Sequence, residues 1–181
     1  LTHHLIRQDD ALLSDIHEIG GDPDLLIEKL CNAGAAELLV PTEEVRSYVD
    51  SCGFSASAIP VLCERFFASG IVVAIQMVTT VSHECYLVIA SPVDQPVLQA
   101  QLKLDDFSSD NRYVLQIQYS ARSSSAKYII ARGTVIPHDH IIAETHRHQC
   151  ELKGKAGIPF RTGVKMSVDC NSIYFRGSVY A

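Results

Sequence analysis

The strongest constraint on the fold is a change of period near residue 79. Before it, apolar residues recur at helical spacing, as in Asp24 to Leu39, where positions 26, 27, 30, 31, 35 and 38 form one stripe. Asp22 or Asp24 is placed to cap this helix, and Pro41 stops it. Thr42-Glu43-Glu44 opens a second helix through Tyr48 that ends at Cys52-Gly53. Ser55 or Ser57 caps a third, including Ile59 to Phe67, with Pro60 tolerated in its first turn. Ser69 caps a fourth, Gly70 to Met77, and two short helices joined by a tight turn have a helix-turn-helix outline. The same pattern also fits plain helical packing, since no Lys/Arg cluster marks the second helix.

After residue 79 the runs become β-rich. They are Cys85 to Ala90, Val97 to Leu104, Tyr113 to Tyr119, Tyr128 to Ala131, Val164 to Val168 and Ile173 to Tyr180. Polar or Gly/Pro punctuation is expected at Ser91-Pro92, Asp105 to Asn111, Ala121 to Ala126 and Gly154 to Pro159. One short helix is expected near His140 to Thr145, which makes the fold class α+β.

Composition narrows the function classes. A net charge of -6 and the lack of a basic patch give no electrostatic reason for strong direct nucleic-acid binding. No apolar run reaches the ~18 residues that span a bilayer, so no membrane partner is expected. Six cysteines without a CxxC pair read as reduced, mostly buried thiols in a cytoplasmic protein.

One segment carries chemistry. Glu28-Lys29-Leu30-Cys31-Asn32-Ala33-Gly34-Ala35-Ala36-Glu37-Leu38-Leu39-Val40-Pro41 resembles the E-x-x-A-N-x-F-A-A-x-L-L-M-P helix of the ImmA/IrrE family of zinc metallopeptidases. Cys31, Gly34 and Val40 stand where that pattern has alanine, phenylalanine and methionine. The resemblance implies that Glu28 is a zinc ligand. It implies further ligands from an H-E-x-x-H helix upstream, whose two histidines share one helix face and whose glutamate is the general base.

The chain begins Leu1-Thr2-His3-His4-Leu5-Ile6. Aligned with H-E-x-x-H followed by apolar residues, Leu1 and Thr2 take the variable positions and His3 the second ligand. The first histidine and the catalytic glutamate are then expected just before Leu1, so that residues 1–181 by themselves are expected to be inactive. His3 and Glu28 lie 28 − 3 = 25 residues apart, about the family's interval. The alternative for His3 and His4 is an exposed N-terminus without a ligand role. His17-Glu18-Ile19-Gly20-Gly21 imitates the same motif, but it lacks the last histidine, and Gly20-Gly21 reads better as a turn.

By resemblance, residues 1–41 are the C-terminal part of a zinc-peptidase domain, 42–79 a helix-turn-helix-like region and 80–181 a GAF-like sensor domain, as in longer, stress-responsive members. Such proteins cleave a helix-turn-helix repressor, in a stress or DNA-damage response, which makes a repressor protein the expected partner and zinc the expected cofactor. A small-molecule ligand is expected for the C-terminal domain. Two readings compete: a non-enzymatic ligand-sensing module, and a cupin-type metal protein. The cupin reading rests on Gly133 to Glu144, where His138, His140 and Glu144 approach the first cupin motif with one residue too few after the glycine and no histidine after His148.

Overall fold

The computed structural model describes residues 2–94, 113–159 and 165–181. Six helices precede the sheet: α1 (Thr2–Arg7), α2 (Asp10–Ile19), α3 (Pro23–Leu39), α4 (Thr42–Cys52), α5 (Ala58–Phe66) and α6 (Gly70–Thr80). The remaining elements are β1 (Tyr86–Asp94), β2 (Tyr113–Arg122), α7 (Ile141–His148), β3 (Glu151–Pro159), β4 (Lys165–Phe175) and β5 (Ser178–Tyr180). Helices and antiparallel sheet thus follow one another as expected for the α+β class.

The helix boundaries follow from local chemistry. The Asp22 carboxylate accepts from the amides of Asp24 and Leu25, and Pro23 occupies the first turn, where its missing N–H costs nothing. The Glu37 carboxylate accepts from the first amide of α4, that of Thr42, at 3.0 Å, and from the Thr42 hydroxyl. This places a negative charge on the α4 N-terminus and holds the Glu37 carboxyl below the ordinary range, chiefly through Thr42. Ser69 caps α6 by accepting from the Val72 amide. Ser57 makes no cap bond for α5; the Ser55 hydroxyl beside it instead donates to Asn171 on β4 at 3.0 Å. Helix α2, capped by Asp9, was not among the expected elements.

Five strands form one antiparallel sheet in the order β2-β1-β5-β4-β3. Helices α4, α5 and α6 cover one face with a core that includes Val45, Leu62, Val73 and Met77 against Leu87, Ile89 and Tyr180. On the other face Val88, Ala90, Ile117 and Val179 pack with Ile130, Ile136 and Ile142. The first half of β1 is therefore buried on both sides, and it reads Leu87-Val88-Ile89-Ala90 without polar alternation. A third cluster, Ile6, Ile16 and Cys31, joins α1, α2 and α3.

Several strand readings need correction. Gly154 to Pro159 is not punctuation but the body of β3, where small residues lie under α7: a Cβ on Gly154 would stand 3.0 Å from Ile141. Tyr128 to Ala131 forms no strand, although Ile130 still fills the core. The run Ile173 to Tyr180 is split by Arg176 and Gly177, both left-handed (φ 49° and 84°), into a two-residue hairpin between β4 and β5. Of the cysteines, Cys31 and Cys63 are buried, Cys85 and Cys170 half-buried, and Cys52 and Cys150 exposed, so the thiols are less buried than expected; all six are free. The readings on Val97 to Leu104, Asp105 to Asn111 and Val164 lie outside the described residues.

Helices α5 and α6 turn through 114° across three residues, Phe67 to Ser69. Among the described residues no single helix is long and apolar enough to cross a membrane. Helix α6 is committed to the core by Val73, Ala74, Met77 and Val78 and contains no Lys or Arg.

Helix α7 falls where a short helix was expected. The His140 Nδ1 accepts from the Ile142 amide at 3.2 Å, and the Thr145 hydroxyl meets that of Ser172 on β4 at 2.6 Å in a buried pair. Burial holds the His140 imidazole below its ordinary value of 6.5, against opposite but smaller effects of the Gly157 carbonyl and Asp139. The unfolded chain therefore binds this proton more readily than the folded one. The contribution of His140 to stability is present above about 6.5 and is lost as pH falls through that value toward the lower folded one. Urea midpoints of the parent should fall between pH 8 and pH 5.5 by more than those of His140→Asn, which keeps a capping side chain without a titrating one.

Candidate functional site

The two residues singled out by the motif stand on different helices. His3 lies in the first turn of α1 and Glu28 in the second turn of α3, and the His3 Nε2 meets the Glu28 Oε1 at 3.0 Å. The side chains are 50% and 59% exposed, so the pair lies open to solvent.

The helices come together for two reasons. Ile6 of α1 and Cys31 of α3, each one turn beyond a candidate residue, are buried together with Ile16 of α2. Beside this contact Gly34 lets α1 approach: a Cβ placed on it would stand 2.7 Å from the Thr2 Cγ2, inside any normal contact. Gly34 is one of the motif's departures, and Thr2, read as a variable position, is the side chain that fills the space. Gly34→Val should therefore push α1 off α3 and separate His3 from Glu28. Its expected signature is a thermal midpoint lowered by a few degrees, on the order of 1–3 kcal/mol of overpacking, measured against the parent.

The donor set can be tested against zinc on geometry. Nitrogen and oxygen ligands at roughly 2.0–2.1 Å, arranged tetrahedrally, lie about 3.3 Å from each other. The observed 3.0 Å separation is close to that spacing, and a histidine nitrogen with a carboxylate oxygen is an ordinary zinc pair. The two residues thus fit as half of a four-coordinate site. Among the described residues no group of three or more His, Cys, Asp or Glu side chains is gathered as a metal would need.

The other candidates are placed differently. Gly20 and Gly21, with φ of 77° and 104°, form the turn after α2, and the His17 Nδ1 meets the Leu13 carbonyl at 2.6 Å within its own helix. His140 of the cupin-like segment has its Nδ1 occupied by the α7 cap, and the His138 carbonyl accepts from Arg147.

Sequence reasoning missed a clamp at the far end of α3. Gln76 of α6, 8% exposed, donates to the Val40 carbonyl at 2.9 Å and to the Glu37 carboxylate at 3.3 Å. It ties the helix bearing Glu28 to the helix lying on the sheet. The available signal was a single amide in the otherwise apolar run Gly70 to Val78.

Two curated proteins are similar to this chain. It is 28% identical over 181 residues to the radiation response metalloprotease IrrE of Deinococcus radiodurans, covering 99% of this chain and 55% of that protein. It is 31% identical over 168 residues to the radiation response metalloprotease IrrE of Deinococcus deserti, covering 92% of this chain and 57% of that protein. The chain therefore spans a little over half the length of these relatives. No protein-family model matches it. Both similarities support the ImmA/IrrE-type assignment that residues 1–41 implied.

Proposed function

We propose that this IrrE-type chain is part of a zinc-dependent regulatory peptidase in which His3 and Glu28 hold the metal. The observation that carries this reading is the 3.0 Å approach of two side chains 25 residues apart, on separate helices, with an open face beside them. When bound, zinc would supply Lewis-acid polarisation of a peptide carbonyl and would acidify water near it. The chain's own part is to present an imidazole nitrogen and a carboxylate oxygen at fixed spacing, on helices pinned by Ile6, Cys31 and Gly34. Peptide cleavage also needs a general base, which we assign to an H-E-x-x-H helix that includes His3.

The substrate we infer is a helix-turn-helix repressor protein, and the setting a cytoplasmic stress or DNA-damage response. The metalloprotease and radiation-response names of the two relatives support this reading. DNA would then be an indirect target: α6, the second helix of the helix-turn-helix-like pair, has no cationic side chain and is packed into the core. The antiparallel sheet with α7 on one face is our GAF-like domain. The assay is cleavage of a co-encoded helix-turn-helix repressor by the natural full-length protein. We expect discrete cleavage that ceases with a chelator and returns with zinc. Cleavage indifferent to chelation, or none of any such repressor, would contradict the proposal and favour a binding module.

A further inference from the structure

Helix α3 is held at two places. It has 17 residues, a rod of about 25 Å, and Cys31, buried close to Glu28, packs with Ile6 and Ile16. At the far end Val40, with no exposure, enters the core shared by α4, α5, α6 and the sheet. Between the two, Leu38 and Leu39 are more than half exposed, so the direction of the rod depends on its ends.

The far end is fastened by an amide. A buried side-chain amide costs free energy unless its hydrogens are bonded, and an apolar residue would fill the same space without that cost. Gln76 bonds both hydrogens. It donates to the Val40 carbonyl at 2.9 Å, one of the groups that a helix end leaves without an intrahelical partner, and to the Glu37 carboxylate at 3.3 Å. Glu37 in turn accepts from Thr42, so α3, α4 and α6 meet at one carboxylate.

Geometry carries this fastening to Glu28. The close contact of α3 with α1 runs from Cys31 to Gly34. Cys31 is three residues from Glu28 and nine from Val40, and Gly34 is six from each. A rigid helix that pivots within that stretch turns a shift of about 1 Å at Val40 into roughly a third to one ångström at Glu28. Misplacements of that size cost up to about 100-fold in rate.

We propose that Gln76 is a positioning residue of the peptidase, which acts through Val40 and Glu37 to set where α3 presents Glu28. This rests on the reading of His3 and Glu28 as zinc ligands.

Two variants of the natural full-length protein test it, assayed on the same repressor well below their thermal midpoints. Gln76→Met keeps the length of the side chain and removes both bonds. Its kcat should fall about tenfold or more, with KM within about twofold of the parent. In Gln76→Glu two carboxylates face each other, with Arg46 of α4 the nearby cation and no charged residue on α6. Such a pair holds a proton at low pH and loses it as pH rises. The protonated pair can bond across the joint and the fully ionised pair cannot. The kcat of this variant relative to the parent should therefore fall about tenfold between about pH 6 and about pH 8. An amide with a structural role alone would lower the thermal midpoint and leave both readouts unmoved. If Gln76→Met fails to fold, the Gln76→Glu ratio decides. Parental kcat in folded Gln76→Met, or a Gln76→Glu ratio flat with pH, would overturn the positioning role and leave the peptidase reading intact. A parent that cleaves no such repressor would overturn both together.

Discussion

Glu28→Ala in the natural full-length protein should abolish peptide cleavage, a loss on the order of 10³-fold or more, while leaving the fold in place. Removing a metal ligand forfeits several kcal/mol of transition-state stabilisation, and about 4 kcal/mol already corresponds to a thousandfold. Stability should barely change without metal. The His3–Glu28 pair is more than half exposed on average, and exposed pairs contribute about 0–1 kcal/mol. His3→Ala should give the same loss, and the double variant should be no worse than either single one, because both remove the same bound group. Cleavage assays on the three variants, with thermal midpoints recorded alongside, check this. Additive losses would mean that His3 and Glu28 act separately.

The second large effect is on folding. Leu62 of α5 is fully buried in the core shared by α4, α6 and the sheet. Leu62→Ala should cost about 2–5 kcal/mol, the lost transfer energy plus the cavity left behind. At ~2–4 °C per kcal/mol this lowers the thermal midpoint by roughly 10 °C. The core spans residue 79, with Leu62 on one side and Leu87, Ile89 and Tyr180 on the other. Helices and sheet should therefore lose structure in one transition, followed by circular dichroism at 222 nm and by tyrosine absorbance. Two separated transitions would show that the helices and the sheet fold independently.

Most of the helices were legible because capping chemistry is local. Asp22, Pro41, Gly53 and Ser69 mark boundaries whose cause lies within four residues, and α3, α4 and α6 follow them closely. Strands were less legible because partners decide them. Gly154 and Gly157 look like a loop in isolation, yet β3 tolerates them because β4 supplies a full ladder, Glu151–Ile173 through Pro159–Lys165. Conversely, Tyr128 to Ala131 has strand composition but forms no strand; the Tyr128 and Ile130 carbonyls accept from the Arg122 and Ser120 side chains.

The candidate site divides in the same way. The resemblance of residues 1–41 to a known motif pointed to His3 and Glu28, and their side chains meet at 3.0 Å although they stand on different helices. Gly34 against Thr2, and Gln76 against Val40, are contacts between elements remote in sequence, with no local pattern to announce them.

The most direct test of the central claim is the zinc content of the natural full-length protein, measured by inductively coupled plasma mass spectrometry after gel filtration. The account predicts about one zinc per chain in the parent. It predicts a large loss in both His3→Ala and Glu28→Ala, and retention in His138→Ala. Zinc retained in the first two variants, or lost only with His138, would contradict it.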